Sequence, residues 1–458
     1  MSIPPPQPSA PGPAAPAADA HTHAALPPDR LPRRLGIWSA AAVLVGSVIG
    51  SGIFRVPSGV AEQVGGVGAI SLVWVLGGLL ALFGALTIAE LAALFPRSGG
   101  IYVFLREAYG PLPAFLFGWT ELLVIRPSAL GAIAMIFAEY LGRLVPLGEG
   151  GVRLAAASAI ALLAAANIRS VTWGAAVQNV STAAKLLTLV GLAALAFLLG
   201  DGASGAFVEP LHFSPLSWGG FGLALVAVLW AYDGWADLTF VSGEVKNPAR
   251  TLPRALLGGT LTVLVIYLAV NAAYLYVLPT AAMAVSPLVA SDVATRLFGA
   301  AGASLVAALV MLSAFGALNG SSMTGPRILY AMADDGLFFR PIAAVHPRWR
   351  TPWTAIGLAA ALGIAYVSSR SFEQLADAFV LGIWPFYVLA VFAVFRLRRS
   401  RPALHRPYRT VGYPVVPVIF LLASVAMLLN ALVQQPGSTL FGFGIILLGI
   451  PVFYLWRR

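Results

Sequence analysis

Long runs of apolar residues constrain this chain more than any other feature. About twelve blocks of roughly 20 residues, the length that crosses a ~30 Å hydrocarbon core, follow one another along the sequence. Charged residues make up 10% of the chain and the mean hydropathy is +0.86. Soluble domains carry roughly 25% charged residues. Because a chain in lipid must satisfy its own backbone hydrogen bonds, these blocks predict an all-α polytopic membrane protein with about twelve transmembrane helices.

Positive charge alternates between the segments that connect the blocks. With the amino terminus in the cytoplasm, 21 of the 28 Lys and Arg fall in cytoplasmic segments, four on the other side and three within spans. The positive-inside rule therefore predicts that both termini are cytoplasmic and that the protein is multi-pass in the cell inner (plasma) membrane. The net charge of +10 follows from this asymmetry, so no nucleic-acid partner is expected.

The blocks divide the chain into four regions. Residues 1–34, rich in Pro and Ala, predict a disordered cytoplasmic tail of unassigned role. Residues 35–200 predict a first repeat of five helices and residues 201–410 a second one. Residues 411–458 add spans 11 and 12, which lie outside the repeat.

Glycines interrupt the first span of each predicted repeat. Gly50, Ser51 and Gly52 interrupt span 1, and the sequence Tyr-Asp-Gly-Trp at 232–235 interrupts span 6. An unwound helix in lipid leaves backbone N–H and C=O groups that must face a cavity or a ligand. Paired interruptions at corresponding positions mark the substrate site of inverted-repeat carriers. The alternative for the first break is helix packing through the Gly46 and Gly50 pair.

Three side chains within the spans each have two interpretations. Asp233 is costly near the membrane centre, so it indicates either a functional site or a structural partner for Lys185 or for a backbone donor. Lys185 either snorkels towards the surface or acts in transport. Trp230, one turn before the second break, either covers a solute or packs within the bundle. Glu121 and Arg126 of span 3 are expected to neutralise each other.

The sequence offers little for catalysis. It has no cysteine, its five histidines lie in the tail or in loops, and no zinc, nucleophile-elbow or phosphate-loop motif is present. We therefore expect a secondary transporter and not an enzyme, with no cofactor and no metal.

Seven short motifs, in order, resemble the amino acid–polyamine–organocation (APC) superfamily and, within it, the L-type amino acid transporter (LAT) family. The similarity is close over residues 36–355. The motifs are 49–54; Glu90 with 96–100 and Tyr102; 121–127; Gln178 and Asn179 with Thr182 and Lys185; 230–235; 243–248; and 315–320 with Arg327.

This resemblance implies a LeuT-like 5+5 inverted repeat and a sodium-independent permease that moves L-amino acids by alternating access, as an exchanger or a proton-coupled carrier. It makes Trp230 the substrate gate. It also implies that Lys185, linking span 1 to span 8 near Ser321 and Ser322, replaces the cation of sodium-coupled carriers. The implied substrate-binding residues are Val48, Ile49, Gly50, Ser51, Gly52, Trp230, Ala231, Asp233 and Gly234.

Several alternatives stay open at this level. The substrate is a neutral or a cationic amino acid, since an aspartate at 233 resembles family members that handle dibasic amino acids. A polyamine or other organic-cation carrier, or an amino acid sensor, are the rival functions. The animal members are tied to a single-pass glycoprotein through a loop cysteine. The loop at 142–152 has no cysteine, so no disulfide-linked heavy chain is expected.

Overall fold

The protein is helical throughout the residues that the structure describes. The computed structural model describes residues 33–169, 171–202, 205, 217–349 and 351–456. Within these ranges it has no strand, and one isolated bridge joins Leu35 to Val245. The predicted all-α fold class is confirmed. Residues 1–32 lie outside the described residues, so the disordered tail stays a prediction.

The first eight helices form spans 1 to 5 and one short connecting helix. Span 1 is split into α1 and α2, and α5 continues into α6 through a single π-helical turn at Glu121–Ile125. Gly110, with φ 89°, separates α4 from α5 at a backbone angle that other residues rarely adopt. The helices are α1 (Ile37–Val48), α2 (Gly52–Val64), α3 (Val67–Leu94), α4 (Ile101–Tyr109), α5 (Pro111–Thr120), α6 (Arg126–Leu144), α7 (Glu149–Arg169) and α8 (Val171–Leu199).

The remaining helices form spans 6 to 12. Span 6 is α9 followed, after a turn, by a 3₁₀ helix at Asp237–Glu244, and α12 bends at Gly299. A second 3₁₀ helix lies at Arg340–Ala343. The helices are α9 (Trp218–Tyr232), α10 (Pro248–Val277), α11 (Thr280–Ala284), α12 (Val289–Asp334), α13 (Trp353–Ser369), α14 (Phe372–Ser400), α15 (Val415–Gln434) and α16 (Pro436–Trp456).

The helices account for the twelve predicted spans. Among the described residues, nine helical segments are long and apolar enough to cross a membrane, and the α1–α2 pair, bent by 44°, makes ten. Two shorter apolar segments, Ala184–Leu199 within α8 and Trp353–Ser369 (α13), occupy the other two predicted positions. On α15 and α16, Leu422, Val433 and Leu455 are more than half exposed. Such side chains are suited to lipid, so the protein is a multi-pass membrane protein.

Corresponding helices of the two predicted repeats pack against each other. Span 1 meets span 6 through α2 and α9, and span 2 meets span 7 through α3 and α10. Span 3 likewise meets span 8 through α6 and α12, and span 4 meets span 9 through α7 and α13. Contact between four of the five pairs of corresponding helices fits repeats related by a pseudo-two-fold axis in the membrane plane. The repeat boundary at residue 200 stays a prediction.

A buried carboxylate ties span 2 to span 10 at the membrane face where α1 begins, which we call the N-terminal face. Glu90 of α3 is 2% exposed. It accepts hydrogen bonds from Arg398 at 2.9 and 2.6 Å and from the Thr410 backbone and hydroxyl at 2.8 Å. Arg406 lies 3.4 Å away. Since a buried charge is costly unless it is paired, this cluster holds the loop after span 10 against span 2.

Candidate functional site

Span 1 loses its helical form between Val48 and Gly52. Ile49 turns with ψ 82°, and the Gly50 N–H donates to the Val48 carbonyl at 2.7 Å. The first N–H groups of α2 have no helical partner and carry the positive end of the helix dipole, so they can hold an anion. The Val48 carbonyl also accepts a hydrogen bond from the Tyr267 hydroxyl of α10 at 2.8 Å.

Span 6 breaks at its own glycine. The helix α9 ends at Tyr232, and Asp233 is extended with ψ 154°. Gly234 follows with φ 106°, a left-handed angle that glycine adopts without strain. The chain resumes as a 3₁₀ helix at Asp237. The last carbonyls of α9 therefore lose their α-helical donors and become available to other groups.

The two breaks lie directly against each other. A Cβ on Gly52 would stand 2.7 Å from the Ala231 Cα, and a Cβ on Gly234 would stand 3.0 Å from the Ser47 carbonyl carbon and the Val48 nitrogen. Real Cβ atoms essentially never come as close as 2.7 Å. Each glycine thus admits the backbone of the other broken span, and the predicted binding residues of spans 1 and 6 are brought together.

Trp230 lies against two aromatic rings of span 10. Its ring centroid is 4.9 Å from that of Phe379 and 6.3 Å from that of Phe372, both edge-on. Trp230 is 8% exposed. These contacts place the indole between the last helical turn before the second break and the start of α14.

Asp233 is held by a tyrosine and not by Lys185. The Tyr387 hydroxyl of α14 donates to Asp233 Oδ1 at 2.8 Å. The charges that act on Asp233 are those of Asp237, Arg126 and Glu121. Asp237 is in turn hydrogen-bonded to the Ser47 side chain. This group holds three carboxyl groups and one guanidinium, so its acidic groups outnumber its basic ones.

Arg126 and Glu121 neutralise each other, as predicted. The Arg126 Nε donates to Glu121 Oε1 at 2.8 Å, and the pair is almost fully buried. Arg126 also donates to the Ser321 hydroxyl at 2.8 Å, which joins span 3 to span 8. Ser322 donates to the Leu318 carbonyl of its own helix at 2.8 Å, and a small cavity lies beside Ser322 and Arg126.

Lys185 is fully buried and points to span 1. Its Nζ donates to the Gly46 carbonyl at 2.8 Å, two residues before the end of α1. The side chain therefore does not snorkel to the surface. Among the described hydrogen bonds, none joins Lys185 to Ser321 or Ser322. The Ser321 hydroxyl accepts from Arg126 instead, and the Ser322 hydroxyl donates to Leu318 within α12. The predicted link between span 1 and span 8 is therefore present only in its contact of Lys185 with span 1. The side chains of Gln178, Asn179, Thr182 and Arg327 lie outside the described residues.

Sequence reasoning missed four residues that contact this site. Tyr267 and Tyr387 reach it from spans 7 and 10, Asp237 follows the second break, and Phe379 lies against Trp230. Of these four, only Asp237 could have been found from the sequence, because a carboxyl group within an apolar span indicates a functional site. The tyrosines and the phenylalanine are ordinary residues for such helices, and only packing distinguishes them. Among the described residues, no group of three or more His, Asp or Glu could hold a metal ion.

The close approach of the breaks predicts unequal effects of alanine at Gly52 and Gly50. Gly52→Ala places a methyl group against the Ala231 backbone and is expected to cost about 1–3 kcal/mol of stability. At Gly50 the nearest atoms lie 3.8 Å from a new Cβ, so Gly50→Ala is the matched control. Thermal denaturation of the purified protein in detergent measures both. Equal midpoints for Gly52→Ala and Gly50→Ala would contradict the packing described above.

One family profile and three named relatives match this chain. The profile of a family described as amino acid permease matches residues 35–455. The serine/threonine exchanger SteT of Bacillus subtilis (strain 168) is 34% identical over 431 residues, which cover 93% of this chain and 98% of SteT. The b(0,+)-type amino acid transporter 1 of Homo sapiens is 34% identical, covering 89% of this chain and 84% of that protein. The human cystine/glutamate transporter is 32% identical, covering 93% and 86%.

Proposed function

This chain belongs to the amino acid permease family, and from that premise we propose that it is a sodium-independent exchanger of L-amino acids. Transport of amino acids across a membrane, predicted from the motifs, is confirmed by the family match and by the named relatives. The proposal adds three points: transport is by exchange, the substrate binds between the two broken spans, and sodium is not required. The observation that carries it is the direct contact between two broken spans, which gathers unpaired backbone groups at one place in the bilayer.

The two breaks offer complementary charge for the common part of an amino acid. The substrate carboxylate binds the N–H groups at the start of α2 and the Ser51 hydroxyl, where the helix dipole is positive. The substrate ammonium binds backbone carbonyls at the two breaks, those of Val48, Trp230 and Asp233. The Val48 carbonyl accepts hydrogen bonds from the Gly50 N–H and the Tyr267 hydroxyl, so a substrate ammonium there takes the place of one of these donors. Trp230 closes over the bound solute.

Lys185 supports independence from sodium. In sodium-coupled carriers of this architecture, carbonyls at a helix break coordinate the ion. Here the ammonium of Lys185 already lies on the Gly46 carbonyl of the broken span at 2.8 Å. The Lys185 amino group therefore occupies the neighbourhood of the break, and in its protonated form it supplies the positive charge that a metal cation would bring.

The surplus of carboxyl groups over guanidinium groups around Asp233 supports cationic side chains among the substrates. Three carboxylates, at Glu121, Asp233 and Asp237, interact with the single guanidinium of Arg126. A substrate guanidinium or ammonium placed beside Asp233 reduces that imbalance. The same surplus supports the second candidate function, transport of a polyamine or another small organic cation. A polyamine has no carboxylate for the start of α2, so competition by amino acids separates the two.

The distribution of basic residues supports the orientation. We propose that the N-terminal face is cytoplasmic in the inner (plasma) membrane, because most of the Lys and Arg lie in the segments at that face. The opposite face, where α2 and α6 end and α14 begins, is then extracellular. We expect the chain to work without a disulfide-linked heavy chain, since it has no cysteine.

Uptake into proteoliposomes tests the function. Purified protein is reconstituted in sodium-free buffer, and vesicles are preloaded with single amino acids or left empty. An exchanger takes up labelled amino acid into preloaded vesicles only, and the preload series identifies its substrates. Uptake into empty vesicles that follows a proton gradient would make the protein a proton-coupled carrier. If the protein takes up a polyamine and unlabelled amino acids do not inhibit that uptake, its substrates are polyamines and not amino acids.

Removing the Lys185 ammonium is expected to slow exchange. Lys185→Ala leaves the Gly46 carbonyl without its donor next to the break, so we expect turnover to fall by about tenfold or more, as for other buried charges in membranes. Lys246→Ala changes the other lysine of the chain, which is exposed, and serves as the control. Initial rates of exchange at matched protein density measure both. Equal rates for the two variants would make Lys185 a structural residue.

Neutralising Asp233 is expected to change selectivity. Asp233→Asn keeps an oxygen that accepts from Tyr387 and removes the charge, so competition by arginine or lysine should weaken by about tenfold relative to a neutral amino acid. Tyr387→Phe removes the hydrogen bond and keeps the charge, and it should change that ratio less. Inhibition constants from the exchange assay give the ratio. A ratio that Asp233→Asn leaves unchanged would place the cationic group elsewhere.

A further inference from the structure

Arg55 lies on α2, beyond the break of span 1, at the face opposite the N-terminal face. Its Nε is 3.2 Å from Glu139 Oε2, and its Nη2 is 2.5 Å from Glu373 Oε1. The guanidinium carbon also stands 5.4 Å from the ring centroid of Phe372. One side chain of span 1 thus contacts the end of span 3 and the start of span 10.

The two carboxylates come from two different helices. Glu139 lies near the end of α6, and Glu373 lies in the first turn of α14. A capping box of Ser371 and Gln374 holds that first turn in place. Movement of α2 away from spans 3 and 10 separates the Arg55 guanidinium from these carboxylates.

The same contacts reach the tryptophan gate. Phe372 precedes Glu373 in sequence and lies under the Arg55 guanidinium, while its ring also faces Trp230 edge-on with centroids 6.3 Å apart. An ionic layer of Arg55, Glu139 and Glu373 therefore lies beside an aromatic layer of Trp230, Phe372 and Phe379. Phe372 touches both layers, so opening one layer disturbs the other.

We propose that Arg55, Glu139 and Glu373 form an extracellular latch that closes the substrate site to the outside and breaks when the site opens. The proposal rests on the alternating-access function and the orientation proposed above. The side chains of Arg55, Glu139 and Glu373 are 16%, 21% and 53% exposed. Water thus reaches all three groups, so the separated charges can be solvated and the pairs can break and re-form in each cycle.

Accessibility of the site to a thiol reagent tests the latch without any transport measurement. The chain has no cysteine, so Ser51→Cys, a nearly isosteric change within the first break, gives a single reporter. Labelling by a membrane-impermeant maleimide is followed in right-side-out and inside-out vesicles. Adding Arg55→Gln should raise the labelling rate from outside by about fivefold and lower it from inside, because the population shifts towards the outward-open state.

Matched variants separate a latch from a general loss of packing. Arg153→Gln removes an arginine at the same face that pairs with exposed Glu149, and it should leave both rates unchanged. Arg55→Lys keeps the charge and should lie between the parent and Arg55→Gln, and Glu139→Gln and Glu373→Gln should each give part of the effect.

Unchanged outside labelling in a folded Arg55→Gln protein would overturn the latch, and so would an equal rise from both sides. Failure of amino acid exchange in the uptake assay would instead overturn the proposed function and leave the labelling result standing.

Discussion

Lipid offers no hydrogen bonds to a peptide group, and the rest of this structure follows from how the chain meets that constraint. Most of the described spans meet it as continuous helices, while spans 1 and 6 meet it by lying against each other. Gly52 admits the Ala231 backbone, and Gly234 admits the backbone of Ser47 and Val48. The exposed peptide groups are therefore gathered at one protected place, where they can serve a ligand with both a carboxylate and an ammonium.

Buried charge follows the same logic and joins helices that are distant in sequence. Glu90 binds Arg398 across spans 2 and 10, and Arg126 binds Glu121 within span 3 and Ser321 in span 8. Lys185 reaches the broken span from span 5. Each group is compensated because an unpaired charge in the bilayer costs several kcal/mol. The exception is the group near Asp233, where three carboxyl groups share the guanidinium of Arg126; we therefore propose that this region meets the substrate.

The sequence predicted the apolar spans and the positions of the two breaks in spans 1 and 6, because each of these depends on residues that are close together in the chain. Glycines within an apolar block predict an interruption whatever surrounds them. Partners across the bundle were not predictable in this way. Asp233 pairs with Tyr387 and not with Lys185, and Ser321 pairs with Arg126. Tyrosines such as Tyr267 and Tyr387 carry no distinguishing pattern, since they are common in helices of this kind.

The sequence by itself determined the membrane class, the two breaks and the family, since hydropathy, glycine spacing and short motifs are properties of neighbouring residues. Only the tertiary structure decided which groups meet. It placed Gly52 on Ala231, the Lys185 ammonium on Gly46, and Arg55 between two carboxylates. The physical reason is that Coulomb and hydrogen-bond energies depend on distances between helices, and these distances are set by packing across the whole bundle.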